Sequence, residues 1–227
     1  IGPRLAATLS YLAGRHHLSQ RGLEEMAADV FDVPLSLGAV GRLAEQTRAA
    51  LAAAHAEAVQ AVRAAEVKNV DETGWKLAGR RCWLWAAATA TVAAFVIHAR
   101  RSAAGLRTLL GEVITGIVGS DRWSVYPQVT ADRWQVCWAH LKRDFQAMVD
   151  RDNAGSTVGE QLLLLTNVLF GWWHRVRDGT LLRRTFRRYV AGLREDVRAV
   201  LEQGRVCGCA QTAATCRELL AVEESLW

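Results

Sequence analysis

The hydrophobic period of this chain changes twice, and those two changes limit its folds more than any other feature. Up to about residue 65, apolar side chains recur every three or four positions. From Val67 to Trp138 they alternate or run on unbroken, and after Gly155 the helical spacing returns. The first stretch reads as helices over 3–18 and 20–31, with Leu23, Met26, Ala27 and Val30 on one face. The segment 32–36 breaks them, and an Ala-rich helix over 37–65 follows without an internal proline. In the middle, 80–89 and 91–98 are β-branched or aromatic runs after an Ala78-Gly79-Arg80 turn, so the first three strands form an antiparallel meander. Ser102 is positioned to cap a short helix to Leu110; a strand ending at Asp121, another over 134–138 and a helix over 140–151 complete the segment. The last stretch holds helices over 158–176, 181–203 and 211–224. This order predicts an α/β protein with a mixed sheet: an N-terminal helical region over 1–66, the sheet over 67–153 and an all-helical addition over 154–227.

Within the sheet segment, Val67-Lys68-Asn69-Val70-Asp71-Glu72-Thr73-Gly74-Trp75 runs from a strand into a turn and carries adjacent carboxylates at the strand's end. About fifty residues on, Ile114-Thr115-Gly116-Ile117-Val118-Gly119-Ser120 ends the same way, in Asp121. A carboxylate beside apolar strands is costly unless something pairs it. Either aspartate alone reads as a turn cap, but the repetition points to a paired-acid site on neighbouring strands. Glu72 turns to the opposite face if its strand continues, which makes it a supporting or surface residue rather than a metal ligand.

Charge and composition narrow the classes. The net charge of +5 is unevenly spread: residues 1–66 carry 6 basic and 7 acidic side chains, 67–150 carry 11 and 7, and 151–227 carry 11 and 9. The excess surrounds Asp71 and Asp121, as a polyanionic substrate favours, although surplus arginine is also ordinary on a surface. No apolar run approaches the roughly 18 residues of a membrane span, and the N-terminus has no export-signal pattern, so a cytoplasmic protein is expected. Five cysteines, an odd number, read as reduced thiols. Cys207, Cys209 and Cys216 lack the spacing of a zinc site, and glycine-rich nucleotide loops and the Gly-x-Ser-x-Gly pattern are absent. The first helices admit a helix-turn-helix reading, but the Ala-rich second helix offers few base-reading side chains and favours packing.

Several blocks then carry a resemblance. Asp71-Glu72-Thr73-Gly74-Trp75 with Trp83-Leu84-Trp85, Gly119-Ser120-Asp121-Arg122-Trp123-Ser124-Val125-Tyr126, and Cys137-Trp138-Ala139-His140-Leu141-Lys142-Arg143-Asp144-Phe145 resemble, in order, the blocks of the IS66-family transposases. Trp172-Trp173-His174-Arg175 and Thr212-Ala213-Ala214-Thr215-Cys216 extend the likeness over nearly the whole chain. The resemblance implies a ribonuclease-H-like core of the DDE type, with Asp71 and Asp121 as catalytic, metal-binding acids and the C-terminal helices as an insertion. Hard oxygen ligands select Mg²⁺ or Mn²⁺ over zinc. Implied partners are DNA, as transposon ends and target, and further copies of the chain on that DNA, in a bacterial nucleoid setting. A third acid, a Glu in an Asn-Asn-x-x-Glu-Arg-like segment, has no match among Glu218, Glu223 or Glu224. Since the chain starts at Ile1 and stops at Trp227, it reads as a fragment, inactive or nearly so alone. The rival reading is a non-catalytic DNA-binding or oligomerisation remnant.

Secondary candidates surround this pair. His140 and Arg143, one helical turn apart, are placed to contact a phosphate or carboxylate, although His140 reads equally as a buried histidine bonded to a carbonyl. Trp123 is open to both core packing and base stacking. Arg183, Arg184, Arg187 and Arg188 form a stripe that either tracks a DNA backbone or is simply solvated.

Overall fold

The computed structural model describes residues 1–130 and 133–227. It divides into two compact units, Ile1–Ala61 and Val62–Trp227. In the first lie α1 (Pro3–His16), α2 (Gln20–Asp29) and most of α3 (Leu37–Ala64). Proline opens α1, where its missing N–H costs nothing, and the Ser19 hydroxyl accepts the Gly22 N–H at 3.0 Å to cap α2. Leu9, Leu23, Ala27, Val40 and Leu43 form the core of this unit.

The second unit is built on a five-stranded sheet. Its elements are β1 (Val67–Leu77), β2 (Arg80–Ala88), β3 (Ala93–His98), α4 (Ala103–Leu110), β4 (Ile117–Ser120), α5 (Val125–Thr130), β5 (Trp134–Val136) and α6 (Trp138–Asp150). The helices α7 (Ser156–Arg177), α8 (Arg183–Gly204) and α9 (Ala210–Ala221) follow, closed by a 3-10 turn, Glu223–Leu226. The strand order is β3-β2-β1-β4-β5. β1, β2 and β3 pair antiparallel, as the meander predicts, while β4 and β5 add in parallel on the other side of β1. The fold is the expected mixed α/β sheet with helices at both ends.

Two local features differ from the sequence reading. β1 does not end at Asp71; its ladder with β2 runs from Asn69↔Ala88 to Leu77↔Arg80. The polar run 71–76 has no apolar alternation and so looks like a turn, but a ladder needs only backbone groups, and nothing in that run removes an N–H. The reversal comes at Ala78 and Gly79, whose positive φ values of 49° and 77° suit a two-residue hairpin. The short helix α5 is also unanticipated, since six residues are too few to display a helical period.

Alternation along β1 buries Lys68 and Val70 on one face. The Lys68 Nζ donates to the carbonyls of Arg63 and Thr115 at 2.8 Å each, joining the end of α3 to the loop before β4. Burial lowers its pKa, so these two bonds offset a real desolvation cost. Lys68→Met is expected to cost about 2–4 kcal/mol in urea unfolding, because the Thr115 carbonyl loses the ammonium donor and the Arg63 carbonyl is left with the Thr115 hydroxyl at 3.3 Å. On the same face α4 sits directly on Trp85, which is fully buried. Gly105 permits this approach: a Cβ there would lie 2.6 Å from the indole.

The helices after the sheet are tied to it at both ends. α7 runs antiparallel to α6, with Gly159 against Phe145 and Met148 and Asn167 accepting from Lys142 Nζ at 2.8 Å. Arg122, just past β4, donates to Asp144 of α6 and to Glu218 of α9, the latter at 2.6 Å. Trp138 donates its indole N–H to the Leu226 carbonyl and packs against Trp227 at 5.0 Å. No helix among the described residues is long and apolar enough to cross a membrane.

Candidate functional site

The β1–β4 register sets the site. Val67↔Ile117, Lys68↔Val118 and Asn69↔Gly119 are the parallel pairs, and the ladder stops there. Two residues further along each chain come Asp71 and Asp121, at equivalent positions where β4 leaves β1. Period two places Asp71 on the face of Asn69, opposite the buried Lys68 and Val70.

Their environments differ. Asp71 is exposed, with 66% of its side chain accessible; its Oδ1 accepts the neighbouring Glu72 N–H, and its Oδ2 lies 4.0 Å from His140 Nε2. Asp121 is 26% exposed. The Trp123 N–H, at 3.0 Å, holds its Oδ1, and its Oδ2 faces Arg101 Nη2 at 3.6 Å. His140 lies in the first turn of α6, its Nδ1 buried and without a partner among the described residues. Among the described residues no carbonyl accepts from that nitrogen.

Behind the aspartates lies a buried cluster. The Glu72 side chain has no accessible surface. It takes hydrogen bonds from Arg101 Nε at 2.7 Å and from the Tyr126 hydroxyl of α5. Arg101 stacks over Trp123 at 4.3 Å and lies 5.4 Å from the Trp83 ring. Trp123 packs in turn against Trp85 and Tyr126, both at 6.0 Å. Burial raises the Glu72 pKa above its ordinary 4.5, against the opposing hydrogen bonds from Tyr126 and Arg101. Burial, then the Glu72 carboxylate, likewise keep the Tyr126 hydroxyl protonated.

A raised carboxylate pKa means that the folded state binds the proton more tightly than the unfolded chain. Glu72's contribution to stability is therefore complete below pH 4.5 and is lost as pH rises through its folded value. Glu72→Gln retains an acceptor for Tyr126 and does not titrate. Thermal melts between about pH 4 and about pH 7 are expected to show a smaller fall in Tm for this variant than for the parent.

With that geometry in place, the comparison with protein families is decisive: the model described as Transposase IS66 family matches residues 1–226. The chain belongs to the IS66 transposase family. No curated protein and no solved structure matches it. In this IS66-family chain, Asp71, Asp121, His140 and Trp123 gather where β4 ends, whereas Arg143 is exposed on the next turn of α6 and Arg183 and Arg187 lie on α8. Among the described residues no three His, Cys, Asp or Glu side chains converge as a metal site, and all five cysteines are free thiols. Sequence reasoning missed Arg101 and Tyr126. They lie 29 and 54 positions from Glu72, and only Glu72's parity with Lys68 and Val70 hinted that something must receive its carboxylate.

Proposed function

We propose that this chain is the catalytic core of a DNA transposase, with a ribonuclease-H-like sheet and metal-dependent strand cleavage and strand transfer at Asp71 and Asp121. The observation that carries the reading is their equivalent register position beyond the last β1–β4 pair, in a chain that matches a transposase family throughout. The donor chemistry fits one hard divalent ion. Among the described residues Asp71 Oδ2 has no close hydrogen-bond donor, Asp121 is fixed through Oδ1, and Mg²⁺ or Mn²⁺ readily takes one or two carboxylates with water and substrate phosphate completing its shell. When bound, such an ion supplies Lewis-acid polarisation of a phosphodiester and activation of the attacking water or 3′-hydroxyl.

The chain's own groups do the rest. Trp123's N–H fixes the rotamer of Asp121, and the Glu72–Arg101–Tyr126 cluster braces the strand that carries Asp71, so Asp121 need not be ordered when substrate arrives. His140 sets an imidazole beside Asp71, its Nε2 4.0 Å from Oδ2, where it can meet a phosphate oxygen. DNA is the partner that a transposase requires, and several copies acting together on it remain part of this proposal.

The test is Mn²⁺ calorimetry on the chain and on its Asp71→Asn and Asp121→Asn variants, with the exposed Glu160→Gln as control. Binding lost in both aspartate variants and kept in the control supports the catalytic reading. Binding indifferent to both overturns it and leaves a DNA-binding remnant.

A further inference from the structure

The α7–α8 hairpin carries charge in an uneven way. Around its tip, residues 171–190 contain Arg175, Arg177, Arg183, Arg184, Arg187 and Arg188 against one carboxylate, Asp178. That carboxylate is occupied by the N–H and hydroxyl of Thr180, at 2.9 and 2.7 Å. All six arginines are exposed. Further along α8 the pattern reverses: Arg194 pairs with Glu224 and Arg198 with Glu223. The same helix thus neutralises its later arginines, and among the described residues no carboxylate pairs with its first four. Arg183 and Arg184, in the first turn of that helix, also oppose its dipole, an arrangement that costs stability unless an anion arrives.

Aromatic rings interleave with these cations. Trp173 and Tyr189 are exposed, with Arg183 over the first at 5.7 Å and Arg188 over the second at 5.7 Å. Stacking holds the guanidinium planes while their edges stay free to donate. The tip is also well placed. From Asn167, which bonds Lys142, α7 continues ten residues to Arg177, about 15 Å, whereas only four residues, about 6 Å, separate Lys142 from the start of α6. The tip therefore overhangs the end of α6 that presents His140 to Asp71.

We propose that the α7–α8 tip is a second, sequence-independent clamp on duplex DNA, in which Arg183, Arg184, Arg187 and Arg188 grip the sugar-phosphate backbone beside the strand held at Asp71 and Asp121. This rests on the DNA-transposase reading. Guanidinium forks match phosphate oxygens bidentately, and contacts of that kind to the sugar-phosphate backbone add affinity and orientation rather than specificity.

The experiment is fluorescence anisotropy of a labelled mixed-sequence duplex with the full chain, titrated between about 50 and about 200 mM salt. The variants are the quadruple Arg183→Ala/Arg184→Ala/Arg187→Ala/Arg188→Ala and the control Arg194→Ala/Arg198→Ala. Each phosphate contact contributes roughly 0.9 to the slope of log K against log salt, so the quadruple variant is expected to lose up to about 3.6 units of slope and to bind about tenfold or more weakly. The control is expected to keep the parental slope. A cooperative melting curve with a midpoint no lower than the parent's shows that the quadruple variant is folded. If the parent binds duplex and the quadruple variant binds it equally with the same slope, the clamp is overturned while the DNA reading stands. If the parent binds no duplex at low salt, both are overturned. A tip that instead directs the chain to anionic lipid vesicles in preference to duplex also overturns the clamp.

Discussion

Asp71→Asn and Asp121→Asn, each alone, are expected to weaken Mn²⁺ binding by at least about 100-fold while leaving the fold intact. The magnitude follows from comparison: losing a group that merely orients a metal ligand costs about 10–100-fold in affinity, and here the ligand itself loses its charge. The preserved fold follows from the hydrogen bonds. At Asp121 the acceptor for the Trp123 N–H survives as an amide oxygen, and at Asp71 the side chain is exposed with one local backbone bond. Neither change opens a cavity, so urea midpoints should move little while the calorimetric signal vanishes. Glu160→Gln removes one carboxylate from the α7 surface and controls for general charge. A variant that loses metal binding and stability together would instead show that its aspartate holds the turn.

The pair of strands bearing these acids was legible because the hydrophobic period changes at Val67 and because β4 announces itself as an apolar run before Asp121. What surrounds the acids was not. The polar residues from Asp71 to Lys76 look like a turn, yet the β2 ladder carries them to Leu77. Alternation places Glu72 on the inner face, but nothing local says whether that face is water or protein. Arg101 and Tyr126 decide it from distant elements, and α5, which supplies Tyr126, is too short to show a period. His140 was legible as a residue near the site and ambiguous in its environment, because the burial of Nδ1 depends on how α6 docks. The arginine stripe of α8 was visible in sequence, whereas its lack of carboxylate partners among the described residues became apparent only when Glu223 and Glu224 were found beside Arg198 and Arg194 instead.

Gly116→Ala is expected to cost about 3–5 kcal/mol in urea unfolding, a large effect for one added methyl. Gly116 has φ +69°, and a Cβ there would lie 2.5 Å from the Glu66 carbonyl oxygen and 2.7 Å from that of Ala65. Both are backbone atoms, so no side-chain rotation relieves the clash. The Glu66 oxygen also receives the Ile117 N–H at 2.7 Å, the bond that starts β4 beside β1, and the adjacent Thr115 carbonyl is held by Lys68. Relief therefore requires β4 to shift against β1, and Asp121 lies at the far end of that strand. The control is Gly179→Ala, where φ is +82° but nothing lies within 4 Å; only backbone strain is paid there, about 1–2 kcal/mol. If the cost at Gly116 were mere left-handed strain, the two variants would match and Mn²⁺ affinity would be unchanged in both. The packed geometry predicts a larger loss at Gly116, accompanied by weaker Mn²⁺ binding in the fraction that remains folded, because the register that aligns Asp121 with Asp71 is set at this residue.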